Sequence, residues 1–242
     1  MPPAAHARMR TRAVIIAGAG STEDFIERAF PLVQGAVDEV HPLGPHGGDL
    51  GAIHAALRAE VTRAHADGYR VIVGGVSFGA HASARYAANA GQRERPDALV
   101  CVMPAWTGEP DATAIATTAT ADLLRERGIP AVLDDLEDQF PGDWVVAELR
   151  SAWSTRTADS LISELRAVAD CPSPSLRELA GIKLPTTVLG LTDDPLHPIG
   201  VARSWAWSIP GASLVTMSRS ELSRDPSLLG RSAFRALATA SR

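Results

Sequence analysis

The sequence predicts an α/β fold, in which a mostly parallel sheet carries helices on both faces and a helical insertion interrupts the alternation. Short apolar runs bounded by glycine alternate with stretches of helical period. This pattern is typical of strands buried on both faces and joined by crossover helices. The chain has 242 residues, and α/β folds of roughly 200 to 250 residues commonly form one unit. One domain with an insertion is therefore expected.

Six apolar segments are the predicted strands. They are AVIIAG at 13–18, AVDEVHPL at 36–43, YRVIVGG at 69–75, ALVCVMPAW at 98–106, TTVLGL at 186–191 and SLVTMS at 213–218. Helical stretches separate them, and Ser21 with Asp24 is the predicted capping pair of the first helix. The segment 50–68 places apolar residues on one helical face, and Gly68 ends it.

Residues 107–180 have a different character from the rest of the chain. They combine an Ala/Thr-rich stretch, acidic turns with proline, and the amphipathic SLISELRAVA, but no convincing strand. We therefore predict a helical insertion at 107–180, between core segments 1–106 and 181–242.

Composition and charge indicate an ordinary globular protein. The net charge of −5 disfavours nucleic-acid or anionic-membrane partners. The two cysteines, Cys101 and Cys171, form no CxxC, so neither a disulfide framework nor a structural zinc is expected. The apolar run 13–19 is too short for a membrane span and makes a poor signal segment. We expect a cytoplasmic monomer or homodimer without cofactor or metal.

The segment Gly75-Val76-Ser77-Phe78-Gly79 matches the pattern Gly-x-Ser-x-Gly where a predicted strand meets a predicted helix. A turn this sharp strains its central residue, and glycines two residues to either side let strand and helix approach. The turn exposes the Ser77 hydroxyl at the carboxyl edge of the sheet. The Phe78 amide at the helix start could then hydrogen-bond an oxyanion beside it. A turn serine without catalytic function is the plainer alternative.

In this context the sequence resembles the α/β-hydrolase family over residues 12–105 and 180–240. The stretches that carry the resemblance are the Ser77 turn, AVIIAGAGS, HPLGPHGGD, LPTTVLGLTDDPLHP and IPGASLVTM. The resemblance implies that Ser77 is a nucleophile and that Gly18 and Ala19 stand where the family has its second oxyanion amide. It also implies that 107–180 is a cap, a segment that this family often inserts over its active site.

The resemblance places the triad acid after the strand that follows the cap. Asp194 is the preferred candidate because Asp194-Pro195-Leu196-His197-Pro198 fits the family's habit at this point, and Asp193 is the reserve. The family's base, however, follows the last strand, and the chain contains no histidine beyond His197. A serine needs a base within hydrogen-bond reach, so the base must come from another position or be missing.

His197 is the best candidate base because its loop is predicted at the same sheet edge as Ser77. The short spacing from Asp194 makes the usual arrangement awkward, and a histidine before proline could simply shape the loop. His81, one helical turn after Ser77, is better explained as a core or interface residue. The remaining histidines carry little catalytic signal. They are His46 in a turn, His54 on an apolar helix face, His41 in a strand, His65 at a helix end and His6 in the N-terminal tail.

A helical cap normally forms a mostly apolar pocket with the core. Trp106, Trp144 and Trp153 fall at or within the insertion, with cap packing as their main expected role. Nearby acids resemble a solvated face and not a metal site, because no histidine joins them; they are Asp134, Asp135, Glu137, Asp138 and Asp143.

The first functional hypothesis is an esterase or thioesterase with Ser77 as nucleophile, Asp194 and His197 as acid and base, and Ala19 and Phe78 as oxyanion donors. The second is a catalytically silent binding protein, motivated by the absence of a histidine after the last strand. A lyase or cyclase that uses the same pocket without an acyl-enzyme is the third.

Overall fold

The computed structural model describes residues 8–240 and contains one sheet of six parallel strands within that range. The strand order is β2-β1-β3-β4-β5-β6. The strands are β1 (Thr11–Ile16), β2 (Glu39–Leu43), β3 (Arg70–Val76), β4 (Ala98–Val102), β5 (Thr186–Leu191) and β6 (Ser213–Met217). The predicted α/β fold class with a parallel sheet is confirmed.

Helices cover both faces of the sheet. Their bounds are α1 (Glu23–Ala29), α2 (Leu50–Ala66), α3 (Phe78–Asn89), α4 (Ala112–Gln139), α5 (Trp144–Trp153), α6 (Ala158–Ala169), α7 (Leu176–Gly181), α8 (Ile199–Ser208), α9 (Arg219–Arg224) and α10 (Leu228–Ala240). Helices α2, α3, α7 and α8 share one hydrophobic cluster with the sheet. Helices α1, α9 and α10 share the other. The central strands are therefore buried on both faces, as parallel strands require.

Parallel pairing brings the carboxyl ends of all six strands to one edge of the sheet. Ile16 of β1 pairs with Gly75 of β3, and Val76 pairs with Val102 of β4. The segments that follow these strands therefore start side by side, and open parallel sheets bind ligands at this edge.

The chain between β4 and β5 is helical, and within the described residues this segment contains no strand. Helix α4 changes direction at Gly128, whose φ of 77° and ψ of 168° are not helical, two residues before Pro130. Helices α4, α5 and α6 enclose a hydrophobic cluster of their own. The predicted helical insertion is confirmed. Helix α7 packs differently, since Leu179 joins the cluster of α3 and α8.

Several local predictions need correction. Ser21 and Asp24 do not cap α1: Thr22 is the N-cap, and its hydroxyl accepts a hydrogen bond from the Phe25 amide at 3.4 Å. Ser21 closes a tight turn onto the Gly18 carbonyl instead, at 3.1 Å. β4 ends at Val102, since Met103 has φ of 50° and leaves the strand conformation. The short helix α9 after β6 was missed.

Candidate active site

Ser77 stands at the turn between β3 and α3 with φ of 55° and ψ of −116°, a conformation strained for a residue with a side chain. The flanking glycines permit it. A Cβ on Gly75 would lie 2.4 Å from the Gly79 carbonyl carbon, and one on Gly79 would lie 2.3 Å from the Ile16 carbonyl oxygen. The Ser77 amide is held by the Val102 carbonyl at 2.8 Å. The sharp strand-to-helix turn that the sequence predicted is present.

His197 contacts both Ser77 and Asp194. Its Nε2 lies 2.9 Å from Ser77 Oγ, and its Nδ1 lies 2.9 Å from Asp194 Oδ2. The side chains of His197 and Asp194 are 16% and 4% exposed, so little water competes for these bonds. With Asp194 ionised, the ring proton lies on Nδ1, and Nε2 is free to accept the Ser77 hydroxyl proton. The structure thus brings together the three predicted catalytic residues in one hydrogen-bonded line.

Asp194 is poised to stay ionised. Burial alone would raise its pKa, but hydrogen bonds from His197 and the Leu196 amide, with the charges of His197 and Arg219, outweigh burial and lower the pKa to about 2. Its Oδ1 accepts from the Leu196 amide at 2.9 Å and from Arg219 Nη1 at 3.4 Å. Asp193, the reserve candidate, instead accepts a hydrogen bond from the Arg219 amide at 2.7 Å.

The short Asp194–His197 spacing works because the loop folds back on its own carboxylate. The Leu196 amide bond to Asp194 Oδ1 is the contact of an Asx turn, which reverses the chain within two residues. His197 therefore returns over Oδ2, the other oxygen of the same group. From the insertion, the Thr113 hydroxyl donates to the Leu196 carbonyl at 3.1 Å and holds this turn from outside. Sequence reasoning missed Thr113, whose position carries no motif.

Arg219 occupies the segment after β6 in which the resembled family carries its base. Its Nη2 donates to Asp143 Oδ2 at 2.6 Å, while Nη1 reaches Asp194. Asp143 was predicted to belong to a solvated acidic face, and this was wrong. Its side chain is 18% exposed, caps α5 through the Val145 amide and pairs with Arg219. Arg219 therefore links the insertion to the triad acid.

The amides of Ala19 and Phe78 belong to the two segments that meet at Ser77, the loop after β1 and the start of α3. Phe78 is the first residue of α3, where helix amides lack internal acceptors. The loop after β1 lies against the turn, because a Cβ on Gly18 would lie 3.4 Å from Ser77 Cβ. Neither amide has an acceptor within residues 8–240. Within the described residues both amides therefore remain unpaired.

Of the six histidines that the structure describes, only His197 lies within hydrogen-bond distance of Ser77 Oγ. His81 Nε2 accepts from the Ala105 amide at 3.0 Å, and burial lowers the pKa of His81 to about 3. It packs between Trp106 and Trp205 as a neutral core residue. The other four lie elsewhere. His54 hydrogen-bonds the Ala82 carbonyl, His65 pairs with Asp97, His41 lies near Glu60, and His46 is in a turn. His6 lies outside the described residues.

A cavity of about 240 Å³ opens onto Ser77 between the sheet edge and the insertion. Trp106, Trp144 and Trp153 line it, together with Val145 and Leu149 of α5. Besides the triad, two charged side chains line the cavity, and each is paired with an opposite charge. Glu148 pairs with Arg28, and Arg219 pairs with Asp143 and Asp194. The cavity is therefore apolar, with its charges already paired.

Residues 8–240 contain neither a grouped set of metal-ligating side chains nor a membrane-spanning helix. No three His, Cys, Asp or Glu side chains of residues 8–240 are grouped so that they could hold a metal ion. Among the helices of that range, none has both the length and the hydropathy needed to cross a membrane.

Comparison with known proteins identifies the fold. No protein-family model and no curated protein matches the chain. Solved structures do match over nearly its whole length. MenH from S. aureus superposes with a TM-score of 0.69 at 16% identity, covering 98% of this chain and 97% of its own.

Two further matches have comparable extents. The enol-lactonase from Burkholderia xenovorans LB400 gives a TM-score of 0.66 at 16% identity, covering 96% of this chain and 91% of its own. A carboxylesterase structure from the thaumarchaeon Nitrososphaera gargenis gives 0.73 at 14% identity, with coverages of 97% and 92%. The chain therefore has the α/β-hydrolase fold, and the resemblance seen in the sequence is confirmed at that level.

Proposed function

We propose that the chain is a serine hydrolase that acts on small or apolar carboxylic esters or thioesters through an acyl-enzyme on Ser77. The observation that carries the proposal is the continuous line Ser77–His197–Asp194, with both contacts at 2.9 Å. A nucleophile hydrogen-bonded to a base, and a base oriented by a buried carboxylate, are the parts that acyl transfer to serine requires. The similar structures named as an enol-lactonase and a carboxylesterase agree with an ester-type substrate.

In the proposed mechanism, Ser77 Oγ attacks the acyl carbonyl carbon while His197 Nε2 takes the hydroxyl proton. Asp194 stabilises the imidazolium, and the amides of Ala19 and Phe78 hold the negative oxygen of the tetrahedral intermediate. His197 then gives its proton to the departing alcohol or thiol, which leaves the acyl group on Ser77. In the second half, His197 activates a water molecule that hydrolyses the acyl-enzyme, and Ser77 regains its proton.

Cavity size and charge narrow the substrate. The cavity of about 240 Å³ is smaller than the roughly 300 to 1,000 Å³ of pockets that bind drug-sized ligands. A charged acyl group would enter a site whose described cations are already paired, so it would be buried without a partner. We therefore expect an uncharged acyl group of short to medium length.

Ester turnover combined with intact mass spectrometry tests the proposal. The protein should hydrolyse p-nitrophenyl butyrate or hexanoate faster than the matching monosuccinate ester, and rapid quenching should trap an adduct of the acyl mass. Ser77→Ala should abolish both signals, while Ser83→Ala, a buried serine of α3 outside the cavity lining, should keep the adduct. Absence of turnover and adduct across such a panel would refute the proposal.

The silent-binding alternative was motivated by the absence of a histidine after β6. His197 supplies the contact that a base after β6 would have made, and this favours the hydrolase. The lyase or cyclase alternative predicts turnover without an acyl adduct, and the same mass measurement separates the two.

A further inference from the structure

The insertion holds one residue of the loop after β1, Gly20, by both its amide and its carbonyl. The Gly20 amide donates to Glu164 Oε1 at 2.7 Å, and the Gly20 carbonyl accepts from Trp153 Nε1 at 3.0 Å. Glu164 belongs to α6 and Trp153 to α5, so two helices of the insertion hydrogen-bond a single residue. Neither bond joins residues that are near in sequence.

Glu164 is an unusual residue for such a position, because it is a carboxylate that is only 2% exposed. Arg156 forms an ion pair with this carboxylate, in which Nη1 donates to Oε1 at 3.1 Å and Nη2 donates to Oε2 at 3.0 Å. A buried charge costs several kcal/mol unless it is paired and hydrogen-bonded. Glu164 accepts three hydrogen bonds here, two from Arg156 and one from the Gly20 amide.

The gripped residue directly follows Ala19, whose amide is an oxyanion donor in the proposed function. Gly20 has φ of +72°, and a Cβ there would lie 3.0 Å from Trp153 Nε1, so the loop passes close to the insertion. Fixing the Gly20 amide fixes the plane of the Ala19–Gly20 peptide. On the other side of Ala19, a Cβ on Gly18 would lie 3.3 Å from the Val76 carbonyl oxygen, so the loop also passes close to β3 there. The Ala19 amide is therefore held between two constrained neighbours.

We propose that Glu164 is a positioning residue that sets the direction of the Ala19 amide, so that the insertion completes the oxyanion site as well as covering the cavity. Glu164 is absent from the cavity lining, so it acts through Gly20 and not on the substrate. The proposal rests on the proposed function, since it assigns the amide that Glu164 serves.

The expected signature is a loss in kcat with little change in KM, because the oxyanion exists only in the transition state. Removing an oxyanion donor outright costs about 10²- to 10³-fold in kcat. Glu164→Ala displaces the donor without removing it, so we expect a loss of about 10- to 100-fold in kcat, with KM within about twofold. Glu164→Gln keeps an oxygen that can accept from Gly20 but turns an amide N–H₂ towards Arg156, so its kcat should lie nearer to that of the wild type than the kcat of Glu164→Ala.

The matched control is Asp122→Ala, which removes another ion pair between the insertion's helices, that of Asp122 with Arg166 of α6. It leaves Gly20 untouched, and its kcat should equal that of the wild type. A readout independent of turnover is hydrogen exchange at the Gly20 amide, followed by NMR. Exchange should be slow in the wild type, Asp122→Ala and Glu164→Gln, and faster by at least tenfold in Glu164→Ala.

The proposal is overturned if Glu164→Ala keeps wild-type kcat, or if Gly20 exchanges equally in all four proteins. It is also overturned if Glu164→Gln loses as much kcat as Glu164→Ala, because charge and not the Gly20 bond would then be the cause. A wild type that neither turns over esters nor forms an acyl adduct would refute the proposed function instead, and Gly20 exchange would still decide whether Glu164 fixes the loop.

Discussion

The loops after β5 and β6 begin side by side at the same sheet edge, yet they carry different parts of the site. The loop after β5 presents both Asp194 and His197 within four residues, whereas the loop after β6 presents Arg219. In the family that the sequence resembles, these loops divide the acid and the base between them. Neighbouring parallel strands end at one edge, so a side chain from either loop can reach Ser77.

Arg219 gives the second loop a different task. Asp194 uses Oδ2 for His197 and Oδ1 for the Leu196 amide and Arg219. Arg219 thus stabilises the carboxylate from the side opposite the base, and it connects to Asp143 of the insertion. In the proposed function, the loop after β5 supplies the acid and the base, and the loop after β6 supports the acid.

The largest effect is expected for Asp194→Asn, in the loop after β5. An amide facing His197 Nδ1 would favour the wrong tautomer, and the equivalent change in a serine triad costs about 10⁴-fold. We expect kcat/KM to fall about 10³- to 10⁴-fold on an apolar ester. Asp193→Asn is the matched control, and it should fall less than about threefold because Asp193 contacts Arg219 and not His197.

A second test follows from the lowered pKa of Asp194. Its pKa is about 2 in the folded protein against an ordinary value of 3.8. A depressed carboxyl pKa stabilises the fold above the ordinary value, and this stabilisation is lost as pH falls toward 2. The free energy of unfolding should therefore drop by about 2 kcal/mol more in the wild type than in Asp194→Asn between pH 5 and pH 2. Urea unfolding across that range measures it, and parallel curves would contradict it.

Substitution of Arg219 tests the supporting role of the loop after β6. Arg219→Ala removes a charge-assisted contact to Asp194 and the link to Asp143, so we expect a loss of about tenfold in kcat/KM. Arg219→Lys should recover part of it, since a lysine can satisfy one carboxylate but lacks the fork that spans two. Arg224→Ala, an exposed change on the same short helix, serves as the control. A loss of 10⁴-fold in Arg219→Ala would mean that Arg219 has a direct catalytic role.

The smallest expected effect concerns the outer support of the loop after β5. Thr113→Val removes the hydroxyl that donates to the Leu196 carbonyl and keeps the side-chain shape. We expect kcat to fall about two- to fivefold, as His197 becomes less well oriented. Thr118→Val is the control, because that hydroxyl bonds within its own helix to Ala114. Equal kcat values for the two variants would show that Thr113 does not orient the loop.

The sequence predicted those parts of the site that local patterns encode. Gly75 and Gly79 specify a tight turn around Ser77 because a side chain at either glycine would meet the backbone, and the alternation of strands and helices specifies the sheet edge. His197 was a candidate with an apparent objection, its short spacing from Asp194. The Asx turn that removes this objection depends on one hydrogen bond, from the Leu196 amide to Asp194 Oδ1. No residue pattern in the sequence predicts this bond.

The remaining parts depend on contacts between distant segments. Glu164 meets Gly20 across 144 positions, and Arg219 meets Asp143 across 76. Such pairs are fixed by how the insertion packs on the core, and a single sequence gives no signal for them. Even the cap of α1 was misplaced by one residue, because Ser21 and Thr22 are both suitable N-cap residues.

The central claim is that His197, from the loop after β5, is the base for Ser77. The bimolecular rate at which a fluorophosphonate phosphonylates Ser77, followed by intact mass, tests it most directly. The wild type and His65→Ala, a change at a histidine bound to Asp97, should react at the same rate. His197→Ala should react at least about 10³-fold more slowly. Labelling of His197→Ala at the wild-type rate would contradict the claim.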